Sequence, residues 1–430
     1  MNGHLGKQHS SVTLERRCRF GIPPHVRNST LRREAAFVRH ARGDSSLRLA
    51  SDAFLNRLPL PGAGHTFVSL GLVCLLAAAV APAAHAQQVP KTQLTIKHSY
   101  FTDDQSLFYT ESAGNTTPQT LITIKEGVTE RVEVNAHYGV DAVSSATWRV
   151  DGVTGATPPT RQEYRHEGGL GATYTLGVNK LGLSGGVSRE RNYVSNFATV
   201  SVQQEFFDRN TTLGLAYTIN RDEIDTLKLA DTRPFPQDVS LDAVTFTAAQ
   251  VLSPKMVAQG NVFWARQQGY LAHPENIVVN ADGSFAEEVH PGERQRAAVV
   301  GRLIRYFETR SSLHTDYRYY RDTWGISSHT AGAEWYQRLG AHWIGRVGYR
   351  AYDQSGADFF DERPSPGAVF KTIDGKLGSF SSALYGVKIS TTRWQLPWFD
   401  RTEVDAKIDR YAQSRGLSAI IVEVGLNTRF

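Results

Sequence analysis

The 430-residue chain is 40% hydrophobic and 21% charged, enough apolar material for a large folded core and too much for a disordered polymer. Its formal charge of +5 belongs to the first 58 residues, where eleven Lys/Arg stand against four Asp/Glu; the remainder carries 36 against 38, so charge gives no argument for nucleic-acid binding. Both cysteines, Cys18 and Cys74, precede residue 87, which leaves the rest of the chain without a disulfide framework or thiolate chemistry and suits passage through an oxidising compartment.

Residues 1–58 are Arg-rich and have no hydrophobic period, and they read as a leader extension upstream of the true start. The Arg16-Arg17 and Arg32-Arg33 pairs lie too far from any apolar run to act as a twin-arginine signal. Residues 59–86 read as a secretory signal peptide. An apolar run from Thr66 to Ala81 is followed by the small-residue exit Ala84-His85-Ala86, with cleavage expected after Ala86. The run is short for a membrane-spanning helix. Residues 87–430 are then one domain, with no linker, fixed repeat or low-complexity tract dividing them.

From Gln87 onward the dominant period is 2, the mark of β-strands with two different faces. In 131–141, Val132, Val134, Ala136, Tyr138 and Val140 alternate with charged and polar residues. Leu170, Ala172, Tyr174 and Leu176 oppose Gly171, Thr173 and Thr175, and a turn at Asn179-Lys180 leads into 181–187. Leu213, Leu215, Tyr217 and Ile219 repeat the pattern, as do Thr402, Val404, Ala406 and Ile408. The strands near 95–125 and 239–251 are less distinct.

Short connections fall around 126–127, 179–180, 208–210, 253–254, 309–311 and 339–341, with a further brief link at 194–196. Long polar ones occupy 143–160, 222–238, 269–292 and 354–375. Short turns at one end and long loops at the other predict an all-β, antiparallel transmembrane β-barrel of about sixteen strands, within a range of 12–18. Phe307, Trp335, Trp343 and Phe430 fall on apolar faces near the short-turn end, and Tyr138, Tyr319 and Tyr349 near the long-loop end. Such belts suit the two interfaces of a membrane. The terminal strand 422–430 puts Val422, Val424, Leu426 and Phe430 on one face and Glu423, Asn427 and Arg429 on the other. Ending on Phe, it resembles the assembly signal of Gram-negative outer-membrane barrels, carried by Val424, Leu426 and Phe430. Closure requires it to pair with a first strand near 94–100.

The stretch Tyr317–Thr330, with its core Arg-Asp-Thr-Trp-Gly-Ile, stands with Tyr349-Arg350-Ala351-Tyr352, 357–360, 140–146 and Gly269-Tyr270-Leu271. Together they resemble an uncharacterised family of Gram-negative outer-membrane proteins, a domain of unknown function. The resemblance spans most of 87–430. It implies an outer-membrane β-barrel, and it supplies no substrate, reaction or catalytic residue.

Candidate chemistry lies on the polar face. Arg401, Glu403, Asp405, Lys407 and Asp409 should point into the lumen from one strand, Arg346 and Arg350 from another, and Arg318, with Asp316 and His314, from a third. They form either a salt-bridged wall or a charge-selective pore lining. Asp322–Gly325 reads as a tight connection in which Gly325 permits a positive φ and Trp324 caps the barrel rim. The acidic loop residues Asp353, Asp358, Asp361 and Glu362 lack the spacing of a defined cation loop. Ser327, Ser328, His314 and His329 are the residues an outer-membrane lipid hydrolase would draw on, without a nucleophile motif around them. Gly168-Gly169-Leu170-Gly171 lies within a strand and is no dinucleotide loop.

No catalytic, metal or cofactor site is expected. The expected role is a channel or transporter for small polar solutes in the outer membrane. The alternatives are a structural or partner-docking barrel of the envelope and a lipid hydrolase. The expected partners are outer-membrane lipid, the barrel-assembly machinery and a small polar solute, with no nucleic acid.

Overall fold

A computed structural model of the chain describes residues 92–103, 116–144, 162–191, 193–228, 231–272, 277–394 and 396–430. The leader, the signal peptide with Ala84 and Ala86, and most of the expected loop 143–160 lie outside the described residues.

Sixteen long strands close into one antiparallel barrel. They are β1 (Gln93–Asp103), β2 (Thr116–Gly127), β3 (Val132–Ser144), β4 (Gln162–Leu176), β5 (Asn179–Arg189), β6 (Tyr193–Phe206), β7 (Thr211–Lys228), β8 (Asp231–Ser253) and β9 (Met256–Gly269), followed after an intervening hairpin by β12 (Glu293–Phe307), β13 (Ser311–Asp322), β14 (Ser327–Leu339), β15 (Trp343–Gln354), β16 (Phe380–Thr391), β17 (Arg401–Gln413) and β18 (Ser418–Arg429). The hairpin, β10 (Ile277–Val279) and β11 (Phe285–Glu287), belongs to the loop between β9 and β12 and stands apart from the wall.

Every wall strand pairs with its neighbour in sequence, and the circle is closed by β1 against β18, Leu94 opposite Thr428 and Tyr100 opposite Val422. Closure satisfies all backbone groups in the ladder and leaves no free edge, the condition for crossing lipid with strands. The first and last strands are thus the pair expected from the sequence.

The two faces separate as alternation demands. Leu170, Leu183, Val200, Val299, Val347, Val387 and Val424 are exposed on the outer face. Between them, Thr199, Thr218, His314, Thr330, Asp405 and Glu423 are buried on the inner face. An apolar exterior over a polar interior is the arrangement of a membrane barrel, the reverse of a soluble sandwich. Tyr100, Tyr138, Tyr317, Tyr349 and Tyr385 are exposed outwards toward the long-loop end. At the short-turn end the rings of Phe307 and Trp335, and of Phe399 and Phe430, meet at 5.4 Å, and Trp343 meets Trp394 at 6.2 Å.

Local details differ from the sequence expectation. The β4–β5 turn is Gly177-Val178, because Gly177 takes φ +61°, and Asn179 and Lys180 already pair in β5. The link placed at 194–196 is four residues earlier, between Arg189 and Tyr193, and Val194–Asn196 lie in β6. The polar stretch 222–238 is not a loop: β7 and β8 extend through it, pairing Asp222 with Val239 and Thr226 with Phe235. Its alternation continues, with Asp222, Ile224 and Thr226 buried inside. Polar residues fall on both faces there, as suits a wall that rises above the lipid. A nine-residue connection at the short-turn end, 392–400, was not anticipated.

Candidate functional site

The inner wall carries its acids on a backing of glycine. Asp316 of β13 lies where a side chain at Gly332 of β14 would stand, 2.9 Å from that Cβ position. Asp405 of β17 lies 2.6 Å from the equivalent point at Gly425 of β18, and Asp409 occupies the one at Gly386 of β16. Each carboxylate therefore folds flat against a neighbouring strand, and cations close over it. Lys388 Nζ is 2.8 Å from Asp405, and Lys407 pairs with Asp409. Arg346 reaches Glu334 at 2.5 Å and Asp409 at 3.4 Å, and Arg302 reaches Asp316 at 3.7 Å. Asp409 is only 2% exposed and Lys407 7%. Charges held that deep are tolerable only when paired.

Among the residues singled out from sequence, the structure brings Arg346, Lys407 and Asp409 into one network and puts Asp405 beside it. Glu403 faces Asn427, and Arg401 faces Arg429 near the short-turn end. Arg318 stands over the Tyr320 ring at 5.3 Å, and Arg350 lies opposite Gly332. Sequence reasoning missed Glu334, Lys388, Arg294, Arg296 and Arg302. The same period of 2 on β12, β14 and β16 was the signal that could have found them.

The mouth holds a second constellation. The β9–β12 loop and the β15–β16 loop fold inward and meet through a backbone bridge between Val289 and Lys371, and the β15–β16 loop is braced on itself by a second, Phe360 with Thr372. At their centre Trp324, 4% exposed, packs with Ile326, Ala357 and Leu377, flanked by Leu271, Tyr320, Phe359 and Phe360. Trp324 thus caps the rim from within. Its indole N–H donates to the Glu293 carbonyl at 2.9 Å, and the Arg294 guanidinium sits 4.2 Å from its ring centre. Gly325 beside it has φ +87°, the left-handed value the tight connection requires.

Asp322 anchors this turn. It accepts from Arg294 Nε at 2.9 Å, the Tyr320 hydroxyl at 2.8 Å and the Trp324 and Ile326 amides at 2.9 and 3.1 Å. His290 packs on Trp324 and Phe359, both at 5.1 Å, and the Thr372 hydroxyl donates to buried Glu288. Burial, reinforced by Glu288 and Glu287, pushes the Tyr270 hydroxyl up to about 12. Burial also lowers the Lys376 ammonium against the opposing pull of Asp374, Glu288 and Glu190. Glu190 belongs to the β5–β6 turn, on the far side of the barrel from β15 and β16.

Other candidates do not come together. Ser327 Oγ lies 3.4 Å from Ser355 Oγ, whereas His329 Nδ1 is 2.6 Å from the Tyr317 hydroxyl on the outer face, so each is engaged elsewhere. Ser312 and His314 do approach, at 3.2 Å, buried against Tyr336. The loop acids are dispersed: Asp361 accepts from the Arg363 amide, and Glu362 pairs with Arg415. Among the described residues no group of three His, Cys, Asp or Glu could hold a metal ion. On the terminal strand Val424 and Phe430 are exposed on the outer face, and the Phe430 amide donates to the Thr92 carbonyl at 3.1 Å.

The model of a family described as a protein of unknown function, DUF3570, matches residues 149–421. No curated protein matches the chain. Among solved structures, the chain is similar to a bacterial polysaccharide outer membrane secretin, at 10% identity and TM-score 0.44, covering 80% of this chain and all of that one. It is similar to the outer-membrane protein opdK of Pseudomonas aeruginosa at 8% identity and TM-score 0.42, covering 79% and 98%. The siderophore receptor PirA of Acinetobacter baumannii matches at 9% identity and TM-score 0.40 over 76% of this chain, which spans 53% of that receptor. These are likenesses of architecture. With a closed sixteen-stranded wall, an apolar exterior and two aromatic belts, the chain is an outer-membrane β-barrel and belongs to the DUF3570 family.

Proposed function

We propose that this barrel is an outer-membrane channel or transporter for small polar solutes, exported through the periplasm and inserted by the barrel-assembly machinery. One observation carries the reading: charged inner-face residues continue from Arg294 at the mouth to Arg401 at the other end, on a wall of sixteen strands wide enough to enclose a path. Closing a barrel does not by itself require charge inside, and burying charge is costly. The in-folded loops then act as the constriction at the mouth. Purified protein inserted into planar bilayers should give stepwise conductance. A barrel that inserts fully and never conducts would count against the reading.

A second reading, a partner-docking barrel, has its own support. The connection 392–400 carries Trp394, Leu396, Pro397, Trp398 and Phe399. Trp398 is 94% exposed and has φ +68°, a conformation that costs energy outside glycine. Photo-crosslinking from position 398 in cells tests it. Adducts only with lipid or assembly machinery would remove it.

A further inference from the structure

Between the mouth and the short-turn end the inner wall is asymmetric. The inward positions of β12–β15 hold seven arginines, whereas their carboxylates are three: Asp316, Asp322 and Glu334. All three are committed. Asp322 is taken by Arg294 and the Trp324 turn, Asp316 by Arg302, and Glu334 by Arg346. Arg296 bonds Gln267 through Nη2 at 3.0 Å, and Arg318 stacks on Tyr320; neither has a carboxylate within ion-pair distance among the described residues. The neighbouring arc, β5–β8, presents mainly small and hydroxylated residues inward, Ser184, Thr199, Ser201, Thr218 and Thr245 among them.

Strand register orders the arginines in depth. Arg294 and Arg296 come first on β12. Arg318 is opposite Val300, two positions below Ala298. Arg302 follows, its row running through Asp316 and Gly332 to Arg350. Arg346 is opposite Tyr336, and Arg338, opposite Ile344, completes the descent. No step exceeds four strand residues, about 13 Å at the usual rise, which two arginine side chains bridge between them. Asp322 is shut away in the mouth, and Asp316 and Glu334 are each matched by one arginine, so seven arginines against three acids leave this wall with an excess of guanidinium charge.

We propose that β12–β15 form an arginine ladder that conducts small oxyanions, carboxylate or phosphate, down one side of the lumen. This rests on the channel reading and names its solute class. Guanidinium suits such anions because its planar fork matches their paired oxygens, and rows of Arg set anion preference in pores. Arg296 and Arg318, lacking carboxylate partners, are the rungs at which an incoming anion replaces a missing counter-charge.

The test is the reversal potential of the full-length mature barrel in a KCl gradient, with gel heat-modifiability checking that each variant is closed. The expected result is a chloride-to-potassium permeability ratio above one, falling in Arg318→Gln and to or below one in the Arg296→Gln/Arg318→Gln double variant. Ser201→Glu changes lumen charge by the same one unit as Arg318→Gln and lies in the register row of Ala298, but on β6. It should shift the ratio less. Inorganic phosphate or acetate should reduce the chloride current, and which one does so more strongly assigns the oxyanion. No conductance defeats the channel reading itself. Conductance with a ratio at or below one in the wild type overturns the anion inference alone, and equal shifts from Ser201→Glu and Arg318→Gln overturn the ladder. Neither anion blocking overturns the oxyanion class.

Discussion

Replacing Trp324 with alanine should open the mouth without opening the barrel. The indole is 4% exposed and is shared by both in-folded loops, packing on Phe359 from one and His290 from the other. Truncating a buried Trp costs about 3–5 kcal/mol. That range takes in the lost bond to the Glu293 carbonyl, about 1 kcal/mol, and the Arg294 cation–π contact, about 0.5–2 kcal/mol. The interstrand ladder keeps every hydrogen bond, so the loss falls on local opening of the loops. At about 1.4 kcal/mol per tenfold, the open-loop population rises by about two to three and a half decades. Trypsin applied to detergent-solubilised barrel reads this directly. Exposed Arg393, followed by Trp394 in the 392–400 connection, is cut in both proteins and serves as internal reference, whereas Lys371, buried in the closed mouth, should be cut much faster in the variant. Trp324→Phe should lie between them. Equal protection of Lys371 in wild type and Trp324→Ala would refute the view that this residue holds the loops in.

Three further outcomes are expected. Gly386→Ala forces a methyl group into Asp409 and the Ile408 carbonyl and should destabilise by about 1–3 kcal/mol in urea unfolding from micelles, whereas Gly301→Ala, with nothing around it, should be near neutral. Deleting Phe430 removes its amide bond to Thr92 and its ring contact with Phe399, and should lower the surface-exposed yield in cells more than it alters conductance per inserted barrel; normal surface levels would contradict this. At the β10–β11 hairpin, Asp282 accepts from the Ser284 hydroxyl at 2.6 Å and its amide at 2.9 Å, which lowers its carboxyl below the usual value. A depressed carboxyl contributes fully above its unfolded value of about 3.9 and loses that contribution as pH falls through the folded value. Ser284 amide protection should therefore drop on acidification, and Asp282→Asn should lack the step.

The wall was legible in the sequence because alternation is local: Val132 to Val140 or Thr402 to Ile408 announces its two faces without help from the rest of the chain. Where local chemistry competed, the reading slipped. Asn179-Lys180 has turn composition, yet Gly177 took the left-handed position two residues earlier. Polar 222–238 looked like a loop because polarity on both faces also describes a wall above the lipid. The inward direction of Arg346 and Asp409 was readable. Their meeting was not, because it depends on registers among β15, β16 and β17, 63 residues apart in sequence. The mouth cluster was least legible, since Trp324 finds its neighbours at Leu271, Ala357 and Leu377, in loops whose own composition carries no period.

The glycine-backed carboxylates bear on how the wall is put together as well as on what it conducts. β17 is keyed on both edges: Asp409 fits the gap at Gly386 on one side and Asp405 the gap at Gly425 on the other. Sliding either neighbour by two residues would keep its inward face inward and its hydrogen bonds formed, yet it would set a side chain against each acid. Slippage of that kind escapes the hydrophobic pattern altogether. The two notches work as wards in a lock, admitting β16 and β18 in one alignment each, so that the barrel's circumference is proofread while its last strands zip together.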